Sequence, residues 1–131
     1  MTTGPSAEFV SESLKLSQEF LDDCEALFEQ GRLRSSVDRA YYAIHHAAIA
    51  MLADQGIEPP KSHSGLINLF GSNIVKAGIA DSETSRILSL SLRRRIVSTY
   101  SQGLDVSAEE AESAVRDARL FTSKVRSILD R

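Results

Sequence analysis

A chain of 131 residues, 42% hydrophobic and 25% charged with a formal charge of −3, is sized for one domain with a real core. Its single cysteine, Cys24, excludes an internal disulfide and falls in an apolar stretch where a buried thiol is expected. No apolar run approaches the roughly 20 residues of a membrane span, and Met1-Thr2-Thr3-Gly4-Pro5 lacks the basic-then-apolar order of a signal peptide. A cytoplasmic protein without a membrane segment is expected.

Apolar residues recur at helical steps along the whole chain, and no segment alternates as a strand does. A first helix is predicted from Ser6 to Gln30, on the steps Phe9, Leu16, Phe20, Leu27 and Val10, Leu14, Leu21, Phe28, with Gly31 as its stop. The second runs from Leu33 to Gln55 and ends at Gly56. It carries Ala40, Ala43, Ala47 and Ala50 on one stripe, narrow enough for another helix to approach closely, and Val37, Tyr41, Ile44, Ala48 and Met51 on an adjoining one. So broad an apolar face marks a helix contacted from several sides. Glu58-Pro59-Pro60-Lys61 must connect, since paired prolines cannot continue a helix. Ser62 can cap a short third helix, His63 to Val75, and Lys76–Ala80 turns. Asp81 or Ser82 can cap a fourth, Glu83 to Ser101, which Gly103-Leu104-Asp105 breaks. Ser107-Ala108-Glu109-Glu110 is a capping box opening a fifth helix to Leu129. The expected fold is all-α: an antiparallel up-and-down four-helix bundle with one additional short helix, a single domain over 1–131 with its core at about 6–129.

Charge is unevenly spread. Residues 1–30 carry seven acids against Lys15 alone, whereas residues 59–104 carry Lys61, Lys76, Arg86, Arg93, Arg94 and Arg95 against Asp81 and Glu83. A basic sector in an acidic protein can hold an anion locally while the overall field discourages indiscriminate nucleic-acid binding. The alternative is ordinary solvated helix faces paired with acids of neighbouring helices.

Two segments place polar groups where burial is expected: Arg39-Ala40-Tyr41-Tyr42-Ala43-Ile44-His45-His46 and Arg93-Arg94-Arg95-Ile96-Val97-Ser98-Thr99-Tyr100. An unpartnered buried polar group costs roughly 1–3 kcal/mol, so partners or a ligand are implied. Arg39, Tyr42 and His46 share a helical face and could meet an anion; the tyrosines could equally be core residues with hydroxyls at the bundle edge. One of the three consecutive arginines should point toward protein, where a guanidinium calls for a carboxylate or phosphate. His45 and His46 project about 100° apart and cannot easily share an ion, so no metal site is expected. Neither a phosphate-cradling glycine loop nor a serine nucleophile context appears, and no cofactor is expected.

Arg39…Tyr41-Tyr42-Ala43…His46-Ala47-Ala48, then Lys61-Ser62-His63-Ser64-Gly65-Leu66, then Arg95…Tyr100, resembles the HEPN domains, and more narrowly the small stand-alone bacterial and archaeal group filed as UPF0332. The resemblance covers about residues 8–129. It implies an antiparallel helical bundle that forms a homodimer. Many such domains are metal-independent ribonucleases acting as toxins or in antiviral defence. Their signature is an arginine followed after four to six residues by a histidine on the late helix, with two such motifs meeting across the dimer. Stand-alone members are often paired with a small nucleotidyltransferase as antitoxin.

This chain departs from the signature. Tyr100 is the fifth residue after Arg95 and Gln102 the seventh, with no histidine between. Arg39 does precede His45 and His46 at fitting spacing, but on the second helix, where the match reads as coincidence. Metal-free RNA cleavage needs a group to move the 2′-hydroxyl proton. Histidine titrates near neutrality, whereas tyrosine, with a pKa near ~10, serves poorly. The resemblance therefore implies an RNA- or nucleotide-binding member of a toxin–antitoxin or defence system whose ribonuclease activity is open. Arg93, Arg94, Arg95, Arg39, Tyr42 and His63 would hold RNA or phosphate, and Arg95, Tyr100 and His46 would be the catalytic candidates, with His63 as the other plausible proton carrier. The alternatives are a non-catalytic module that pairs with a nucleotidyltransferase or another protein, and a plain structural dimer with its arginines in ion pairs.

Overall fold

The computed structural model describes residues 5–100 and 105–130. Five α-helices follow one another: α1 (Ala7–Glu29), α2 (Leu33–Asp54), α3 (His63–Phe70), α4 (Ser82–Tyr100) and α5 (Ala108–Leu129). A π-helical turn, Gly71–Val75, extends α3. No strand occurs among the described residues, and the fold is all-α as expected.

Helix ends follow local chemistry. Ser6, Ser62 and Ser107 each accept a hydrogen bond from the backbone N–H three residues on, at Phe9, Gly65 and Glu110. Asp81 caps α4 through the Thr84 N–H, at 3.2 Å. α1 and α2 end at Gly31 and Gly56, whose φ of 75° and 79° admit a left-handed turn. There Arg32 N–H reaches the Leu27 carbonyl and Ile57 N–H the Leu52 carbonyl, satisfying groups that a helix end leaves open. The expected break at Gly103-Leu104 and the end of α4 at Ser101 lie outside the described residues.

α2 is the centre of the domain and packs on α1, α3, α4 and α5. Ala40, Ala43, Ala47 and Ala50 are all buried, as the seam predicts. The helix they receive is read differently from the expectation. α1 turns Ser13, Ser17, Leu21 and Cys24 inward and leaves Phe9 and Leu16 exposed. Size explains it: an alanine seam admits a backbone only across small residues, and Ser17 Oγ donates to the Ala43 carbonyl at 2.7 Å. Ser36 Oγ does the same to the Cys24 carbonyl at 2.9 Å. Close helix approach has outranked the larger apolar stripe.

The third helix, expected from His63 to Val75 with Gly65 and Gly71 as its weak points, spans that range as α-helix to Phe70 and π-helix from Gly71. Leu66, Phe70 and Ile74 are all buried. At 3.6 residues per turn two steps of four drift roughly 80° around a helix. The wider turn that closes with Lys76 N–H on the Gly71 carbonyl brings Ile74 back onto the buried line.

Candidate phosphate site at the α2–α3–α4 junction

α2 carries Asp38, Tyr41, Tyr42, His45 and His46 on adjoining turns, Tyr41 buried and the other four half-buried. The three- and four-residue steps between Asp38, Tyr41 or Tyr42, and His45 make those side chains neighbours. α4 lies across them and supplies Arg95. Its Nε donates to Asp38 Oδ1 at 3.2 Å and Nη2 donates to the Tyr42 hydroxyl at 3.0 Å. The guanidinium carbon sits 5.2 Å from the centres of both tyrosine rings, where the ring faces attract a cation. Burial works against the Arg95 charge. The Tyr42 oxygen and the Asp38 carboxylate outweigh it and push its pKa further above the ordinary guanidinium value.

On the far side of Tyr41 stand two histidines. The Tyr41 hydroxyl is hydrogen-bonded to Nδ1 of His63, the first residue of α3, and lies 3.4 Å from Nδ1 of His45. The rings of His45 and His63 are 5.4 Å apart. Burial, with His46, His63 and Arg95 adding to it, pushes the His45 pKa down to about 4, so this imidazole is neutral at pH 7. Burial likewise lifts Tyr41 to about 12 against the opposing pull of Arg95, so its hydroxyl keeps its proton. His46, lowered by burial, stacks on Phe20 at 5.5 Å with the rings 5° from parallel. Arg39 covers Phe20 at 5.8 Å.

The sequence-predicted residues divide. Arg95, Tyr42 and His63 meet around Tyr41, with His46 and Arg39 at the rim. Arg94 turns the other way and pairs with Asp117 of α5 at 2.8 Å. Arg93 is exposed and lines, with Arg94, Val97, Ser98 and Val106, a cleft of about 170 Å³. Tyr100 is 72% exposed, and no hydrogen bond or ring contact joins it to the cluster among the described residues. Sequence reasoning missed Asp38, Tyr41 and His45 as members of the site. The spacing of Asp38, Tyr41 and His45 on α2 was a signal that could have found them. No group of three or more His, Cys, Asp or Glu placed to hold a metal occurs among the described residues. No described helix is long and apolar enough to cross a membrane.

Chemically, the cluster offers a fixed cation on an aromatic bed, one guanidinium nitrogen (Nη1) uncommitted among the described residues, and imidazoles close by. That set can hold a phosphodiester and move a proton beside it.

The HEPN domain family model matches residues 10–128. A protein of Methanocaldococcus jannaschii named "Putative toxin" is 33% identical over 122 residues, covering 93% of this chain and 90% of its own length. A UPF0332 protein of Pyrococcus horikoshii is 40% identical over 82 residues, covering 63% of this chain and 57% of its own length. A UPF0332 protein of Thermotoga maritima is 27% identical over 114 residues, covering 87% and 86%.

Proposed function

The chain belongs to the HEPN domain family, and from that premise we propose that it is a toxin-type, RNA-binding member whose Arg95 centre holds a phosphodiester. The observation that carries this reading is the Arg95 guanidinium itself. It is half-buried, clamped by Asp38 and Tyr42, laid over two tyrosine rings, and bordered by histidines. Arg39 and Arg93 supply further charge from the exposed edges of α2 and α4. The names of two Methanocaldococcus jannaschii relatives as toxins favour a toxin-like role. In this reading the protein works in the cytoplasm as a homodimer, and a nucleotidyltransferase-type protein is its antitoxin.

Fluorescence anisotropy with a labelled, unstructured 20-nucleotide RNA in EDTA tests it. Wild-type protein binds with a salt-dependent Kd, and Arg95→Ala weakens binding at least tenfold. Equal affinity of the two proteins sinks the reading.

A second reading rests on a separate observation. Ile96, Val97 and Tyr100 are exposed together on α4, 46%, 49% and 72% respectively. A non-catalytic module that binds a protein partner would use such a strip. It predicts a stable complex with a neighbour-encoded protein and no RNA binding.

A further inference from the structure

We propose that His63 is the proton carrier of this site, aimed by Tyr41 and, through Tyr41, by His45. The inference rests on the phosphodiester reading above and adds the group that α4 lacks. No histidine follows Arg95 on α4 through Tyr100, yet an exposed imidazole from α3 reaches the tyrosine on which Arg95 lies.

The argument follows the protons. The Tyr41 hydroxyl owns one hydrogen and faces two Nδ1 atoms, those of His45 and His63. It can donate to only one of them. His45 stays neutral at pH 7 because burial disfavours its charge, so its Nδ1 can serve as the acceptor. The arrangement that makes His63 a base sends the Tyr41 proton to His45, 3.4 Å away, leaves the phenol oxygen to accept, and has His63 donate through Nδ1–H. That tautomer places the lone pair of His63 on Nε2. A histidine held through one nitrogen so that the other can act is the ordinary arrangement of a general base. Tyr41 and His45 are positioning residues here.

The backbone beneath His63 is fixed as well. Ser62 Oγ accepts from Gly65 N–H at 3.0 Å. A Cβ at Gly65 would lie 2.7 Å from that oxygen and 3.2 Å from Pro60 Cβ, so the Pro59-Pro60 connector closes tightly over the start of α3. The capped start of α3 and the hydrogen bond to Tyr41 thus hold the His63 imidazole at the site.

The reaction is transesterification of RNA. His63 Nε2 takes the proton of a ribose 2′-hydroxyl, and the 2′-oxygen forms a bond to phosphorus. The bond from phosphorus to the 5′-oxygen breaks, and that oxygen takes a proton from water. The products are a 2′,3′-cyclic phosphate and a 5′-hydroxyl end, and His63 returns its proton to solvent. Arg95 balances the charge on the phosphate oxygens throughout.

The test is single-turnover cleavage of the same labelled RNA in EDTA, at saturating protein, between pH 5 and 8. Wild type yields cyclic-phosphate ends, with a rate that falls on the acid side as an imidazole protonates. His63→Gln, an exposed position where folding is not at stake, slows the step at least 100-fold and removes the acid limb, in line with the usual contribution of a general base. Tyr41→Phe slows it several-fold and moves the limb rather than removing it. A scissile 2′-deoxy residue blocks cleavage entirely. His63→Gln cleaving within threefold of wild type, or wild type binding the RNA and leaving it intact, overturns the proposal while the phosphodiester reading stands. Wild type that fails to bind the RNA overturns both.

Discussion

Of the three consecutive arginines, Arg94 is the one that braces α4 against α5, and its removal should cost stability. Its Nη1 donates to Asp117 Oδ2 at 2.8 Å, and the two side chains are 21% and 12% exposed. Arg94→Ala leaves the Asp117 carboxylate without a hydrogen-bond donor among the described residues, between α4 and α5. Breaking a fully buried ion pair costs about 3–5 kcal/mol, and losing a charged hydrogen bond about 1.5–3 kcal/mol. Since both groups keep some contact with water, about 2 kcal/mol is the appropriate figure, a factor of roughly 30 in the folding constant. Unfolding entropy of about 2.1 cal/mol/K per residue converts this, for 131 residues, to a fall in Tm of about 7 °C. Urea and thermal unfolding followed by far-ultraviolet circular dichroism read the effect. Arg93→Ala, on the exposed side of the same helix, should stay within about 0.5 kcal/mol of wild type. The double variant Arg94→Met, Asp117→Leu should recover much of the loss, because no unpaired charge remains. Unchanged stability of Arg94→Ala, together with weakened RNA binding, refutes the assignment and makes Arg94 a ligand rather than a brace.

Further outcomes follow from the same geometry. Asp38→Ala frees Arg95 from its carboxylate and should tighten RNA binding about three- to tenfold in the anisotropy assay; weaker binding would mean that Asp38 orients Arg95 more than it competes for it. His45 takes up its proton near pH 6.5 when unfolded but near pH 4 when folded, so the unfolded chain holds more protons between those values. Stability is therefore complete above pH 6.5 and falls as pH drops toward 4, and His45→Gln should flatten that limb of the urea midpoint against pH. Ala47, buried on the α2 seam, has no room for a larger side chain, and Ala47→Leu should cost about 1–3 kcal/mol by the same unfolding measurement.

Much of the fold is legible because helical periodicity and capping are local. The alanine seam of α2, the serine caps and the glycine stops at Gly31 and Gly56 each declare themselves within a few residues. The inward face of α1 does not. Phe9 and Leu16 carry more apolar surface than Ser13 and Ser17, and periodicity weighs surface. It does not weigh how near the partner backbone comes, which α2 decides. The site is divided in the same way. That not all three arginines of the run face water follows from their 100° separation, and two of them, Arg94 and Arg95, turn onto protein. Which carboxylate receives it depends on Asp38, 57 residues away, and on Asp117, 23 residues from Arg94. The hydrogen bond between Tyr41 and His63 spans 22 residues and a diproline connector, so no repeat or spacing announces it.

Those same contacts explain why adjacent arginines do different work. A helix separates the side chains of Arg94 and Arg95 by about 100°, so they meet different neighbours. Arg94 meets the Asp117 carboxylate, and its charge is consumed in joining α4 to α5. Arg95 meets two aromatic rings set 71° to one another, which attract a guanidinium without neutralising it, and a carboxylate shared with Arg39, which lies 3.6 Å from the other oxygen of Asp38. A carboxylate shared between two cations neutralises neither fully. The pair Arg39–Arg95 around Asp38 therefore retains about one net positive charge at the site. An anion that approaches finds a preformed planar donor set and need not order a flexible side chain, which is the main entropic cost of binding through lysine or arginine at a surface.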